Sequence, residues 1–267
     1  MLIADDIGNV HRMKMGRELD HKVLYWVAAW LSDGLLYDTG CSYTARELAD
    51  HLQGRGVKVA VNSHHHEDHI GANKLLQQEL GVKIYASALA AALISQKPKL
   101  LPYQELVWGY PDLSEVEVIG DSIEVNGRSY QVIETPGHCP GHIVLFDEQN
   151  HRMFMGDLFV TETPRAIRPN ENVGKMIKDM RKLAALGRGP LTLFTALGDA
   201  FEDGRGALLR CADYLENIVA QSKKLLSQGL TPDQIRDQIF KRESGLASIT
   251  DGDFSIKNLV KSAIEAE

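Results

Sequence analysis

Apolar positions in the first part of the chain alternate between short runs and helical stripes. Val23 to Leu31 and Leu35 to Tyr37 are two β runs joined through Asp33-Gly34, which predicts a hairpin near the start. Ala45, Leu48 and Leu52 recur at helical spacing within Tyr43 to Leu52, a helix that stops at Gly54 and leads into a β run from Val57 to Val61. Gly71 to Leu80 predicts the next helix, Val82 to Tyr85 a short strand, and Ser87 to Ile94 an alanine-rich helix. From Glu115 the texture changes to short alternating runs: Glu115 to Ile119, Ser122 to Val125, Tyr130 to Ile133, Ile143 to Phe146 and Arg152 to Met155. Turn residues at Gly120-Asp121, Asn126-Gly127 and Asp147 to Asn150 separate them, so a mostly antiparallel sheet is expected. A helix from Asn172 to Leu186 and a strand from Leu191 to Thr195 follow. The rest is helical: Ala207 to Ser227, a helix opened by Thr231-Pro232 and running through Phe240, and Ser255 to Ala266. Two β-rich halves, each carrying helices, predict an α/β protein with two sheets face to face over residues 1–205, then a helical appendage over 206–267.

Composition narrows the class without changing this outline. At 267 residues and 44% hydrophobic, the chain is an ordinary globular protein able to bury its own core. The longest apolar stretch, Val23 to Leu31, is too short for the roughly 20 residues a membrane span needs. The acidic start, Met1 to Asp6, does not read as a signal peptide, and the cytoplasm is the expected compartment. Cys41, Cys139 and Cys211 are odd in number and far apart, which suits a reducing compartment and no disulfide framework. The net charge of −7 lends no support to nucleic-acid binding, although it does not exclude it. Residues 206–267 carry eight Lys/Arg against nine Asp/Glu, so helical packing or substrate gating is the expected role there. A small-molecule substrate is the expected partner, and a homo-oligomer is left open.

Histidine is the informative residue. Of ten, His64, His65, His66 and His69 fall within six positions, and none follows His151. The run Asn62 to Gly71 lies between an apolar strand and a helix. If it stays extended, His64, His66 and Asp68 project to one side while His65 and Glu67 face away, and His69 enters through the turn into the helix. Imidazoles and a carboxylate converging over so short a span suit a borderline ion such as Zn²⁺. A second segment, Thr135-Pro136-Gly137-His138, again follows a β run, and its Pro-Gly turn aims His138 away from the strand. His142 is read as supporting or packing, and Cys139 as a small buried filler. A third, Met153 to Asp157, ends an apolar strand in Gly-Asp, where a carboxylate has two oxygens to offer to metal. Asp38, in Tyr37-Asp38-Thr39-Gly40, is expected to orient a ligand histidine rather than bind metal.

His-x-His-x-Asp-His at 64–69, Thr-Pro-Gly-His at 135–138 and Gly156-Asp157, in this order after Asp38-Thr39-Gly40, resemble the metallo-β-lactamase superfamily from about residue 15 to 205. The resemblance implies an αββα sandwich with a metal site at one edge. It implies His64, His66 and His138 as ligands of a first metal, Asp68 and His69 as ligands of a second, and Asp157 as the bridge. The chain departs from the family pattern late: where a Gly-His-Gly loop is usual, it reads Ala196-Leu197-Gly198-Asp199. Either Asp199 or Glu202 substitutes as a carboxylate, or the second metal is weakened or lost, and the sequence favours the latter.

The activity expected from these residues is metal-dependent hydrolysis of a small ester, thioester or lactone, with one or two zinc ions and Asp68 orienting or accepting the proton of the attacking water. Three rivals stand beside it. A mononuclear iron dioxygenase of the persulfide type would use His64, His138 and Asp157. An endoribonuclease-like phosphodiesterase would use the C-terminal helices, and a non-catalytic scaffold would keep a structural metal. Trp26, Trp30, Trp108 and Tyr110 are expected in core packing before any pocket.

Overall fold

The chain enters as a hairpin, β1 (Leu2–Ile7) and β2 (Val10–Met15), paired from Leu2↔Met15 to Ile7↔Val10. Its outer strand is a sheet edge with Ile3 to Asp6 exposed, so no apolar run announces it. A small ribbon, β3 (Glu18–Leu19) with β4 (Lys22–Val23), takes up the start of the apolar run. The hairpin read from sequence therefore begins later than expected, as β5 (Val27–Ser32) and β6 (Leu35–Tyr37). Asp33 and Gly34 both have positive φ, 51° and 86°, the conformation a two-residue Asp-Gly turn requires.

The computed structural model describes residues 1–267, and contacts divide them into two units. The first comprises Met1–Glu134, Gly141–Asp157 and Leu191–Glu202. After β6, this unit alternates helix and strand: α1 (Ala45–Leu52), β7 (Val59–Val61), α2 (Asn73–Leu80), β8 (Lys83–Ala86), α3 (Ala88–Ile94), α4 (Pro102–Val107) and β9 (Glu117–Val118). Strands β6, β7, β8 and β9 pair in parallel and complete a seven-stranded sheet. The Glu115 to Ile119 run thus closes the first sheet rather than opening the antiparallel one, because it returns in parallel beside Tyr85 and Ala86.

The second sheet has six strands in chain order: β10 (Ser122–Val125), β11 (Arg128–Glu134), β12 (Ile143–Asp147), β13 (Arg152–Phe154), β14 (Thr192–Phe194) and β15 (Ala200–Phe201). It is antiparallel except between β13 and β14, where the chain makes a long excursion. The two sheets bury a shared core: Trp30, Leu35, Tyr37 and Val61 from one meet Tyr130, Leu145, Phe154 and Phe194 from the other. Polar tips inside it are satisfied: Tyr37 Oη donates to the Ile143 carbonyl at 2.7 Å and Trp30 Nε1 to the Thr195 carbonyl at 2.9 Å. Trp30 is therefore core filler, whereas Tyr110 is exposed.

The second unit comprises Thr135–Pro140, Leu158–Pro190 and Asp203–Glu267. It is helical: α5 (Val173–Ala184), α6 (Gly204–Ser227), α7 (Pro232–Phe240), α8 (Gly245–Ile249) and α9 (Ile256–Glu265), with α5, α7 and α9 packed on α6. Helix starts obey capping chemistry. Thr231 accepts from the Gln234 N–H while the Gln234 side chain accepts from the Thr231 N–H, with Pro232 at the first position. No helix is long and apolar enough to cross a membrane.

Candidate metal centre

The first unit gathers its chemistry where β6 and β7 end. Asp38 follows β6 with φ of 62°, a left-handed conformation uncommon for a non-glycine residue, and its side chain is buried. That carboxylate accepts three donors. Oδ1 takes the Ser63 N–H at 2.7 Å, and Oδ2 takes the Ser63 hydroxyl at 2.9 Å and His69 Nδ1–H at 2.7 Å. Ser63 Oγ, its own proton committed to Asp38, lies 2.8 Å from His64 Nδ1 and accepts that N–H. One buried acid thus places a proton on Nδ1 of both His64 and His69 and turns both Nε2 atoms toward the same spot. His64 Nε2 is 3.9 Å and His69 Nε2 3.4 Å from Asp157 Oδ2, and the donor atoms of the three residues lie within 4.8 Å of one another.

His69 Nε2 is buried and makes no hydrogen bond; besides Asp157 it faces Asp68 Oδ2 at 3.6 Å. Burial drives the His69 pKa down, but the charges of Asp38, Asp68 and Asp157 outweigh it and hold the imidazole well above its usual range. Carboxylates that favour a proton on that nitrogen favour a divalent cation there more strongly. The donor set therefore fits a metal. His66 joins it through Nδ1, 2.8 Å from His64 Nε2.

The loop from His64 to Gly71 is a succession of bends and turns rather than the extended segment expected. His64 and His66 meet all the same, and Glu67 is buried and accepts the Gln104 Nε2–H at 2.9 Å. The backbone of His69 is gripped from behind: its carbonyl accepts from Thr39 N at 2.9 Å and Asn62 Nδ2 at 3.0 Å, and Asn73 bonds Asn62 and Thr39 in turn. At Gly71 a side chain would force the backbone to shift, since a Cβ would lie 2.2 Å from the Cys41 carbonyl carbon. Gly156, at φ 52°, is similarly enclosed, with a Cβ 2.5 Å from His142 Nε2. His142 Nε2 accepts the Asp157 N–H at 3.2 Å and fixes the strand end that carries that carboxylate.

Sequence reading named neither Ser63 nor the Thr39, Asn62 and Asn73 network. The signal lay in Val59-Ala60-Val61-Asn62-Ser63, where a buried apolar run turns polar one step before the histidines. Gln104 carried no such signal.

The turn where the family usually has its last histidine is short and pinned. Thr195 N–H donates to the Asp199 carbonyl at 3.0 Å, and Ala196 N–H to the Gly156 carbonyl at 3.3 Å. Leu197 is half-buried, while Asp199 and Glu202 are exposed, so neither acid turns inward as a substitute.

In the second unit, His138 is buried on the loop after β11, its Nδ1 3.4 Å from Glu171 Oε2. The loop is shaped by Gly137, whose N–H donates to Asp179 Oδ2 at 2.8 Å and whose carbonyl accepts from Asn172 N at 2.9 Å. Cys139 is buried and forms no disulfide.

Comparison with known proteins supplies the family. Hydroxyacylglutathione hydrolase GloC of Haemophilus influenzae is 30% identical over 112 residues, 38% of this chain and 50% of the relative. A hydroxyacylglutathione hydrolase of Rhodospirillum rubrum is 31% identical over 171 residues, 59% of this chain and 60% of the relative. The chain thus aligns with about half to three-fifths of the length of these hydrolases. A probable metallo-hydrolase, YqjP of Bacillus subtilis, is 24% identical over 73% of both chains. In fold, a metallo-beta-lactamase family protein of Thermus thermophilus superposes with TM-score 0.67 at 18% identity, covering 96% of this chain and 92% of the other. The family model of the metallo-beta-lactamase superfamily matches residues 32–197, from the end of β5 to Leu197, a span that holds both sheets' site-bearing ends. By that match, and by its two facing sheets and His/Asp cluster, the chain belongs to the metallo-beta-lactamase superfamily.

Proposed function

We propose that the protein is a metal-dependent hydrolase of a small acyl ester, thioester or lactone, with the thioester first. The observation that carries this is the convergence of His64 Nε2, His69 Nε2 and Asp157 Oδ2, with Asp68 beside them. The sequence relatives named hydroxyacylglutathione hydrolases act, by that name, on an acyl thioester, which ranks the substrates. In this reading His64, His66 and His138 would hold one divalent cation, zinc by the chemistry of the donors, and Asp68, His69 and Asp157 would be the ligands left for a second. Bound there, the cation acts as a Lewis acid that acidifies water and polarises a carbonyl oxygen.

The chain's own residues supply the rest. Asp68 is buried, 5% exposed, and next to His69, so it accepts the proton of an attacking water at Oδ2 and returns it to the leaving thiolate or alkoxide. Asp38 keeps both imidazoles in one tautomer through the cycle, and Ser63 passes that constraint on to His64. Asn62, Thr39 and Asn73 hold the loop that carries Asp68 and His69, so the acceptor does not drift.

The test is a panel of an acylglutathione thioester, an aryl ester, a lactone and a phosphodiester, run with zinc-loaded protein and with His64→Ala. Turnover of the thioester at least a hundredfold above the phosphodiester, and lost in His64→Ala, is the expected result. Equal rates for the protein and the variant across the panel would overturn the reading.

A further inference from the structure

We infer that the second unit carries a binding site of its own, for a small amphipathic anion with a carboxylate or phosphate head on an apolar body. A groove of about 480 Å³ runs along α6, within the roughly 300–1,000 Å³ range of small-molecule sites. Its floor is one stripe of that helix, Tyr214, Asn217, Ile218 and Gln221, at the i, i+3, i+4, i+7 spacing that puts side chains on a single face. Ile239 and Phe240, at the end of α7, form an apolar wall with Ile218. The cations are Arg165, from the loop before α5, and Lys241, just past α7.

Neither of these cations is paired with a carboxylate. Three arginines elsewhere in the unit, by contrast, are neutralised: Arg181 by Asp213 and Glu216, Arg210 by Glu162 and Asp203, Arg236 by Asp233, Asp237 and Glu243. Arg165 has no carboxylate and rests its guanidinium 5.7 Å over the Phe240 ring. Lys241 makes no ion pair, and no Asp or Glu lines the groove. In a chain of net charge −7, two uncompensated cations over an apolar wall form a local field that selects an anion. The amides of Asn217 and Gln221 are available to the same head group, and the apolar wall to its tail. Lys241 also sits at φ 68°, a strained conformation for a residue with a Cβ. The backbone there favours glycine, yet the position presents a cation to the groove.

The test is calorimetric titration of the full chain with sodium octanoate, octyl phosphate and 1-octanol, in the His64→Ala background and with EDTA present, so that no metal-bound anion contributes. Both anions are expected to bind at least tenfold more tightly than octanol, and affinity falls as NaCl is raised. The tighter of the two anions identifies the head group. Arg165→Ala combined with Lys241→Gly weakens both anions at least tenfold. Because Lys241→Gly relieves the strained backbone, its melting temperature is equal to or above that of the parent, which separates loss of binding from loss of fold. Octanol binding as tightly as octanoate, or anion binding unchanged in the double variant, overturns the inference. Because the parent lacks His64, failure here leaves the hydrolase reading standing, and the reverse.

Discussion

Asp38 accepts from Ser63 twice and from His69 once, and through Ser63 it also fixes His64. Asp38→Ala removes that constraint without removing a donor atom of the cluster. Zinc affinity is expected to fall about 10–100-fold, measured by competition with a chromophoric chelator, while the fold survives. Because the pKa of His69 is raised by Asp38, Asp68 and Asp157 once burial is overcome, a cation has to displace a proton there. Zinc binding in the neutral range therefore releases a proton to buffer, and affinity weakens as pH falls; titration in two buffers of different ionisation enthalpy reads this directly. Asp179 offers a contrasting case. Burial raises its pKa, opposed by the Gly137 N–H and by Lys182 and Lys175. For an acid raised in the folded state, the stabilisation is complete below its unfolded pKa and is lost as pH rises through the folded one. Asp179→Asn keeps an acceptor for Gly137 and removes the charge, so it gains stability relative to the parent at pH 7 and not at pH 4. Asp179→Ala leaves the Gly137 N–H buried and unpaired, costing about 1–3 kcal/mol. Urea unfolding at the two pH values decides both.

At the scale of elements, the site depends on chain segments that approach more closely than side chains allow. Gly71→Ala would drive a Cβ into the Cys41–Ser42 backbone, with contacts of 2.2 and 2.3 Å that no rotamer relieves. A loss of about 1–3 kcal/mol is expected, seen as a melting temperature several degrees lower, together with weaker zinc binding, since Gly71 lies two residues past His69 and its N–H bonds the Gly40 carbonyl. This layer was partly legible beforehand. The Asp33-Gly34 hairpin, the helices α5, α6, α7 and α9 of the second unit and the strand ends bearing His64 and Asp157 follow from period, turn chemistry and caps, whereas the five residues of α8 show no period. β1 is silent in the sequence because Leu2–Ile7 is an exposed edge strand with no apolar demand, and β2 because its buried residues, Val10, Met13 and Met15, do not alternate. α4 was missed because its six residues, Pro102–Val107, are too few to show a period. The membership of β9 was misread because pairing partners, unlike strands, leave no local trace. The extended reading of residues 64–68 failed because the bonds from Asp38, Thr39 and Asn62 override alternation.

For the whole molecule, the question is how many ions a donor set assembled from distant parts of the chain can hold. In the first unit those parts are the ends of β6 and β7, the end of β13 and the turn Thr195–Asp199 between β14 and β15. That turn closes on itself at 3.0 Å and is tied at 3.3 Å to Gly156, the neighbour of Asp157, so it is already seated beside the carboxylate's strand. What it lacks is a donor atom, since Leu197 has none and the nearby acids Asp199 and Glu202 are exposed. Asp68, His69 and Asp157 are too few to hold a second cation tightly when a zinc site takes four ligands. The protein as purified with excess zinc is therefore expected to retain about one equivalent per chain after gel filtration, and Leu197→His about two, by elemental analysis. Asp199→Ala and Glu202→Ala should leave the count unchanged. The additional ion binds only the folded chain, so Leu197→His also gains thermal stability with zinc in excess, about 2.7 kcal/mol at a hundredfold excess over its Kd, and loses that gain on chelation. Two equivalents in the parent, or one in the variant, would show that the ligand count is set by something other than position 197.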